Sequence, residues 1–596
     1  MPLHYAEAVS LIYIWFLHSV LHLIGCEGHS EASAKQWSHY HSTSGFTSPS
    51  LAHDRATFDS SGCGMQCLHP VFHNYDVLRE IFELSLDLPY GRRTVAHTAR
   101  SCKAFLHVAL DVLWSDLDDI IPLTALLDAN IVDDSVAGVE TQAVAPRATI
   151  SDGDWYIFQC YARRVRKLSI QNDSMSTSVL SAMLRRARGQ PVLPGLVGLK
   201  WATESSCNTA FVRLLPPTLC WLHVDARFRH GGSPPLDLLS AIYAQIPHVR
   251  TLTLSVNGPI SLSGISLFRD LKSLTVMQPD CFDTTIDLGA VQAAAHLEDL
   301  QDFRIDLPRI CPDTIQWSDT SFQTLKKLKV VTLEQHWCNM ITLLSAITSP
   351  HLTSVNIAFG RTQESPHCPL CGIYVSLDVV KKRWTDCLQE VRIMFFYLPR
   401  RGSVTGKHYV LSLRDLLEPL YALRKLRILE ISLQHVMKAA TPELEEADVW
   451  RMGNAWPNLE SVKIEAAGVG EDEFAAPPIQ SWVCLALQCP RLHTLDVPAA
   501  RLASLPEQVI QHTRLATQND CPQSGLRHLL IHRLMPQHSA EPAFTEAASL
   551  LCDTFPDLVF NGKIDWRIQC PEWSRLHSAM EKQRRYARDV RDKCDG

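Results

Sequence analysis

The sequence predicts an α/β solenoid, with parallel strands on one face and helices on the other, preceded by a short helical unit. Three observations predict it. An apolar-x-x-apolar-x-apolar phrase recurs thirteen times, from Val165/Leu168/Ile170 to Leu526/Leu529/Ile531. Its step is loose, from 22 residues (Val249 to Leu271) to 38 (Leu388 to Leu426). Helix-length amphipathic stretches usually lie just upstream of the phrases. A fixed phrase at variable spacing is what a stack of single supersecondary units leaves in a sequence.

Each element follows from the phrase. Side chains alternate faces along a strand, so its fourth and sixth positions point the same way and give one apolar face. The helical stretches include residues 235–245, 340–349, 412–422 and 481–488. Pro247, Pro350, Pro457, Pro490 and Pro556 stand at helix–strand junctions. Proline suits that place because it ends a helix and is tolerated at a strand entrance. One such unit cannot bury its apolar face alone, but stacked units share a continuous core over residues 150–565. A doubly wound α/β domain is the competing arrangement. It seldom needs so many strands and usually shows a glycine-rich turn after an early one, which is missing here. The phrases resemble the leucine-rich repeat in its irregular form. The Asn or Cys that many such repeats place after the strand is mostly missing.

Residues 70–127 read as a separate helical unit. Asp76–Leu84 is amphipathic, with Leu78, Ile81 and Phe82 on one face. A second helix is expected near Val95–Cys102 and a third over Lys103–Trp114, with turn residues Leu88-Pro89-Tyr90-Gly91 before them. Asp76, Val77, Leu78, Ile81 and Phe82 match the opening helix of an F-box. Ala99, Cys102 and Phe105, then Ala109, Leu110, Leu113 and Trp114, match its later motifs. The chain therefore resembles the F-box proteins with irregular leucine-rich repeats that are abundant in mushroom-forming fungi. One departure is that His73-Asn74 replaces the family's Leu-Pro. The resemblance implies a substrate receptor of a cullin–RING ubiquitin ligase. Its F-box would dock on a Skp-type adaptor, and through it on a cullin, while the repeats hold a target protein. Val77, Leu78, Ile81, Phe82 and Trp114 are the residues it implies for adaptor contact, some of them shared with the unit's own core. Two alternatives are a helical cap that meets no adaptor, which makes the chain a plain scaffold, and a membrane-tethered receptor.

Composition narrows the partners. The chain has 596 residues, 46% hydrophobic and 20% charged, with a formal net charge of −7. Nothing basic is in surplus to track a phosphate backbone, so nucleic acid is a poor partner. Nineteen cysteines in this length do not make a disulfide scaffold, and several lie in or beside the phrases as small apolar groups. A reducing compartment, cytoplasm or nucleus, is expected. Residues 1–69 read as a disordered or mis-assigned region. Within it, 9–26 is apolar but marginal in length for a membrane span and lacks the basic start of a signal peptide. It is an anchor, or a buried or unstructured helix. Residues 566–596 are expected to form an exposed, charge-alternating helix or tail.

Candidates for chemistry are few. His367, Cys368, Cys371 and Cys387 resemble half a zinc site without a second close pair. Cys63, Cys67, His69 and His73 are too tightly spaced for a finger. The histidines are scattered, and His223, His493 and His528 alternate with core positions. Phosphate-binding loops, nucleophile elbows and His-Glu-x-x-His are missing. The expectation is a protein that is not an enzyme and carries no cofactor. The strand-side positions and the loops, where specificity is expected to lie, show no single-sign stripe or aromatic cluster. Long insertions at 360–387 and 398–415 are the expected specificity loops.

Overall fold

The computed structural model describes residues 74–127, 150–171, 177–203, 209–226, 238–256, 262–277, 288–307, 317, 321–333, 337–361, 369–397, 413–433, 444–465, 476–502, 525–536, 541–556, 558 and 571–595. The chain divides into two units. The first comprises residues 1–144, 149–168 and 193–196, and the second holds the remainder. Residues 149–168, expected to open the repeats, thus group with the helical unit.

In the first unit, α1 (Tyr75–Leu86), α2 (Gly91–Ser101) and α3 (Lys103–Ser115) follow one another closely. Asn74 caps α1, its side-chain Oδ1 accepting from the amides of Asp76 (3.0 Å) and Val77 (3.3 Å). Such a cap satisfies orphan N–H groups of the first turn. The His73-Asn74 departure therefore supplies a helix start. The turn into α2 divides its two demands between neighbours. Tyr90 takes the left-handed conformation (φ 66°). Gly91 is needed for close approach, since a Cβ there would fall on the Ser85 carbonyl. The core of the three helices contains Leu78, Ile81, Phe82, Val95, Phe105, Ala109 and Val112, with Phe82 and Phe105 edge to face at 6.1 Å. β1 (Asp116–Leu117), α4 (Ile121–Thr124) and α5 (Asp152–Ala162) complete the described helices and strands here. Leu117 pairs with Leu168 of β2 (Lys167–Ile170).

The second unit is the repeat array. Its strands are β3 (Gly198–Thr203), β4 (Trp221–Ala226), β5 (Thr251–Val256), β6 (Ser273–Met277), β7 (Asp302–Leu307) and β8 (Lys327–Leu333). They continue as β9 (Ser354–Arg361), β10 (Glu390–Tyr397), β11 (Ile428–Ser432), β12 (Ser461–Glu465), β13 (Thr494–Leu502) and β14 (His528–Pro536). They lie in chain order, and neighbouring strands pair in parallel. The predicted α/β solenoid of leucine-rich-repeat type is what the chain forms. Each strand begins two residues after the first apolar position of its phrase, which is itself buried in the preceding turn, as at Leu219 and Leu325. The phrases then align in phase: Leu252 pairs with Leu274, Leu274 with Phe303, Phe303 with Leu328 and Leu328 with Val355. One face becomes a ladder of buried apolar side chains. At the strand starts, one carbonyl takes two amides from the next unit. Gln301 O accepts from Lys326 (2.8 Å) and Lys327 (2.9 Å), and Arg427 O from Glu460 (2.7 Å) and Ser461 (3.0 Å). These paired bonds fix register where a side-chain ladder of Asn or Cys is mostly missing.

Helices cover the apolar face. Leu238–Gln245, Trp337–Ala346 and Ile479–Gln488 form where the amphipathic stretches predict them. At 412–422 the helix stops at Leu417, and a 3-10 turn carrying Pro419 follows it. Most of the 360–387 insertion, expected as a loop, is the helix Pro369–Trp384. It buries Ile373, Leu377, Val380 and Trp384, a helical spacing that commits the insertion to packing. The insertion at 398–415 lies outside the described residues up to 412. The C-terminal helix Pro571–Asp595 is not exposed all round. Leu576 and Met580 are buried, and Arg584 donates to Leu558 O at 2.6 Å.

Candidate interaction surfaces

Of the residues expected at an adaptor contact, Leu78, Ile81 and Phe82 are at most 2% exposed and lie inside the first unit's own core. Val77 is half-buried against that core. Trp114 packs on Tyr161 of α5, ring centroids 4.6 Å apart. The apolar groups that do face outward are others. Leu84 is exposed on α1, two turns beyond Val77 and so on the same side of the helix. Leu88 and Tyr90 follow it in the turn, and Leu106 is exposed on α3. The periodicity of α1 identified the buried face, but the outward leucines break its amphipathic pattern and were the missed signal.

A second feature of this unit is polar. Arg164, after α5, pairs with Asp111 of α3, whose other oxygen accepts from the Tyr75 hydroxyl at 2.8 Å. Burial and this bond to Asp111 raise the Tyr75 hydroxyl above its ordinary range. Tyr75, Arg79, His107, Asp111 and Arg163 line a cleft of about 330 Å³ here.

The second unit presents a different surface. The residue between the last two apolar positions of each phrase points away from the core, and in-phase pairing sets these residues side by side. His223, Thr253, Thr275, Arg304, Lys329, Asn356, Arg392, Glu430, Lys463 and Asp496 form one continuous rank. Its C-terminal half alternates in sign and is paired. Arg392 bonds Glu430 at 3.2 Å, Lys463 bonds Glu465 at 2.7 Å, and His532 meets Asp496 at 2.7 Å. The Glu465 contact holds the Lys463 ammonium above its ordinary range. Its middle is different. Arg304 and Lys329 are direct cross-strand neighbours of the same sign. Burial, then Arg304, push the Lys329 ammonium below its ordinary range, and Asp306 offsets this only in part. His223 is also lowered, by burial and by Lys200. The cationic stretch was invisible in linear order because its members lie in different repeats of unequal length.

Among the described residues no group of three His, Cys, Asp or Glu is placed to hold a metal ion. Cys63, Cys67, His69, His73, His367 and Cys368 lie outside the described residues, as does the side chain of Cys371. Burial raises the thiols of Cys387 and Cys484, and pushes that of Cys489 up to about 12. Among the described residues no helix is long and apolar enough to cross a membrane, and 9–26 lies outside them.

The fold and the rank of strand-side residues define a repeat protein of leucine-rich-repeat type joined to a small helical unit. No family model matches the chain. No curated protein matches it. Among solved structures it is similar to an internalin from Listeria monocytogenes, at 11% identity over 64% of this chain and 89% of that one, with a TM-score of 0.29. It is also similar to the Rad7 and Elc1 complex in yeast, at 14% identity over 67% of this chain and 89% of that one, with a TM-score of 0.31.

Proposed function

We propose that the chain is a non-catalytic substrate receptor. Its three-helix unit docks on a Skp-type adaptor, and through it on a cullin, while the strand face of the repeats holds a target protein for ubiquitin transfer. The observation that carries this reading is the pairing of two unlike surfaces in one chain: apolar residues left outside a closed helical core, and a ranked polar strand face. A unit this small gains from a partner over its outward leucines. The adaptor contact then falls on Val77 and Leu84, with Leu78, Ile81 and Phe82 shaping the helix from beneath. The reading places the protein in the cytoplasm or nucleus, where its thiols stay reduced.

The test is a pull-down of the full chain with a recombinant Skp-type adaptor. Binding that is lost in Leu84→Asp supports the reading. Absence of binding, while an intact F-box control binds, overturns it. The burial of Leu78, Ile81 and Phe82 favours a second reading, a scaffold whose helical unit meets no adaptor, and the same pull-down separates the two.

A further inference from the structure

The cleft of about 330 Å³ in the first unit carries a surplus of one charge. Arg79 of α1 lines it, with Arg163, Arg164 and Arg166 from the segment between α5 and β2. Asp111 is the one acid among the described residues of its lining, and Asp76, Glu80 and Asp116 stand outside it. Two of the four arginines are answered. Asp111 pairs with Arg164, and Glu83 meets Arg79 at 2.8 Å. Among the described residues, Arg163 and Arg166 have no ion pair. Arg166 directs one N–H to the Gly195 carbonyl at 3.1 Å, and the exposed Arg163 guanidinium makes no hydrogen bond. The C-terminal end of α5 contributes roughly half a negative charge, which offsets only part of the two that remain. On a convex surface such cations would simply be hydrated. In a concave one the low-dielectric walls focus their field on whatever enters.

Chemistry narrows the ligand. A guanidinium offers a rigid fork of donors that matches the oxygens of carboxylates and phosphates. One carboxylate would answer only one of the two remaining charges. A phosphate monoester carries about −1.5 to −2 at neutral pH and three strong acceptor oxygens, so it can take both guanidiniums at once. Asp111 does not oppose it with a bare charge. One of its oxygens is held by Arg164, and the other accepts from the Tyr75 hydroxyl at 2.8 Å. The volume falls in the range of small-ligand sites, roughly 300–1,000 Å³. It leaves room for the phosphoryl group and part of its carrier.

We infer that this cleft is a phosphoryl-binding site: Arg163 and Arg166 hold the dianion of a phosphate monoester, and the Tyr75–Asp111–Arg164 contacts fix the wall beside them. The inference goes beyond adaptor docking and target holding and depends on neither. The same group can arrive on a small phosphate ester or on a phosphorylated side chain of a protein.

The test is isothermal titration calorimetry of the full chain with two ligands, free O-phosphoserine and a short phosphoserine peptide with neutral Gly and Ala flanks. The unphosphorylated peptide and acetate are the controls. A phosphorylated ligand is expected to bind, to bind more weakly as salt is raised, and to lose tenfold or more in affinity in Arg163→Gln and in Arg166→Gln. Arg588→Gln, on an exposed position of the C-terminal helix, is expected to leave binding unchanged. Arg163→Gln removes a side chain without a bond, so its thermal midpoint is expected to match the parent's, which separates lost binding from lost folding. The tighter of the two phosphorylated ligands names the source, small ester or protein side chain, and either supports the assignment. No binding of either ligand, equal binding of acetate, or binding indifferent to Arg163→Gln overturns it.

Discussion

Trp456 donates its indole N–H to the main-chain carbonyl of Leu420 at 3.1 Å, tying one repeat to the one before it. Trp384 does the same to Ser349 at 3.2 Å, and both indoles are buried. The main-chain carbonyl of Trp456 in turn accepts from the Cys489 thiol at 3.4 Å, so three successive repeats are joined through one residue. Trp456→Phe keeps most of the packing and removes one of the two donors to the Leu420 carbonyl, which still accepts from the Leu423 amide at 2.9 Å. A loss of about 1 kcal/mol is expected from urea unfolding. Trp456→Ala also opens a cavity and is expected to cost about 3–5 kcal/mol.

Cys489 gives the array an alkaline limit. Burial raises its thiol from an ordinary value of 9.0 to about 12. A group whose folded value is raised stabilises the fold fully below the unfolded value, and that contribution is lost as pH climbs through the folded one. The window therefore opens near pH 9 and closes near 12. Cys489→Ser keeps a donor towards Trp456 and removes the titration. The expected result is a flatter fall of the urea midpoint above pH 9 than in the parent chain.

The turn between α1 and α2 separates two roles that glycine often combines. Gly91→Ala brings a Cβ onto the Ser85 carbonyl, and backbone cannot yield as a flexible side chain can. A cost of about 1–3 kcal/mol is expected, with the loss visible in the thermal unfolding of the first unit. Tyr90→Gly relieves a left-handed tyrosine and is expected to be neutral or stabilising by up to about 1 kcal/mol. The opposite signs at adjacent positions are what circular dichroism melts of the two variants would compare.

Asp111 holds Arg164 and Tyr75 together, with only 13% of the arginine side chain exposed. Asp111→Ala leaves a mostly buried guanidinium without its anion. Because Asp111 itself is a third exposed, a loss of about 1–3 kcal/mol is expected, below that of a fully buried pair. Tyr75→Phe removes one bond to the same carboxylate and is expected to cost about 1 kcal/mol. Denaturant midpoints of the two single variants and the double variant measure how strongly the contacts are coupled.

The repeat architecture was legible because the phrase states which positions are buried, and each strand starts at a constant offset from it. The three helices were legible in number and order, although α2 begins at Gly91 rather than near Val95. What sequence order hid was lateral. Arg304 and Lys329 are one strand apart in space but 25 residues apart in the chain, and Arg392 lies a further 63 on. Because the steps vary, no fixed period brings them together. The helix Pro369–Trp384 was hidden differently, since an oversized step shows that residues are added without showing where they fold. On α1 the pattern gave the core face, and core burial removed three of its residues from direct outside contact.

From β3 to β14, each strand borders only its immediate neighbours in chain order, and none returns to close the array on itself. Such a unit can acquire a rung by duplication, or shed one by deletion, without rewiring the rest. Its length can therefore drift over evolutionary time while the hydrogen-bonding rule survives. Two descendants of one ancestor would then differ in which charges stand side by side more than in how they fold.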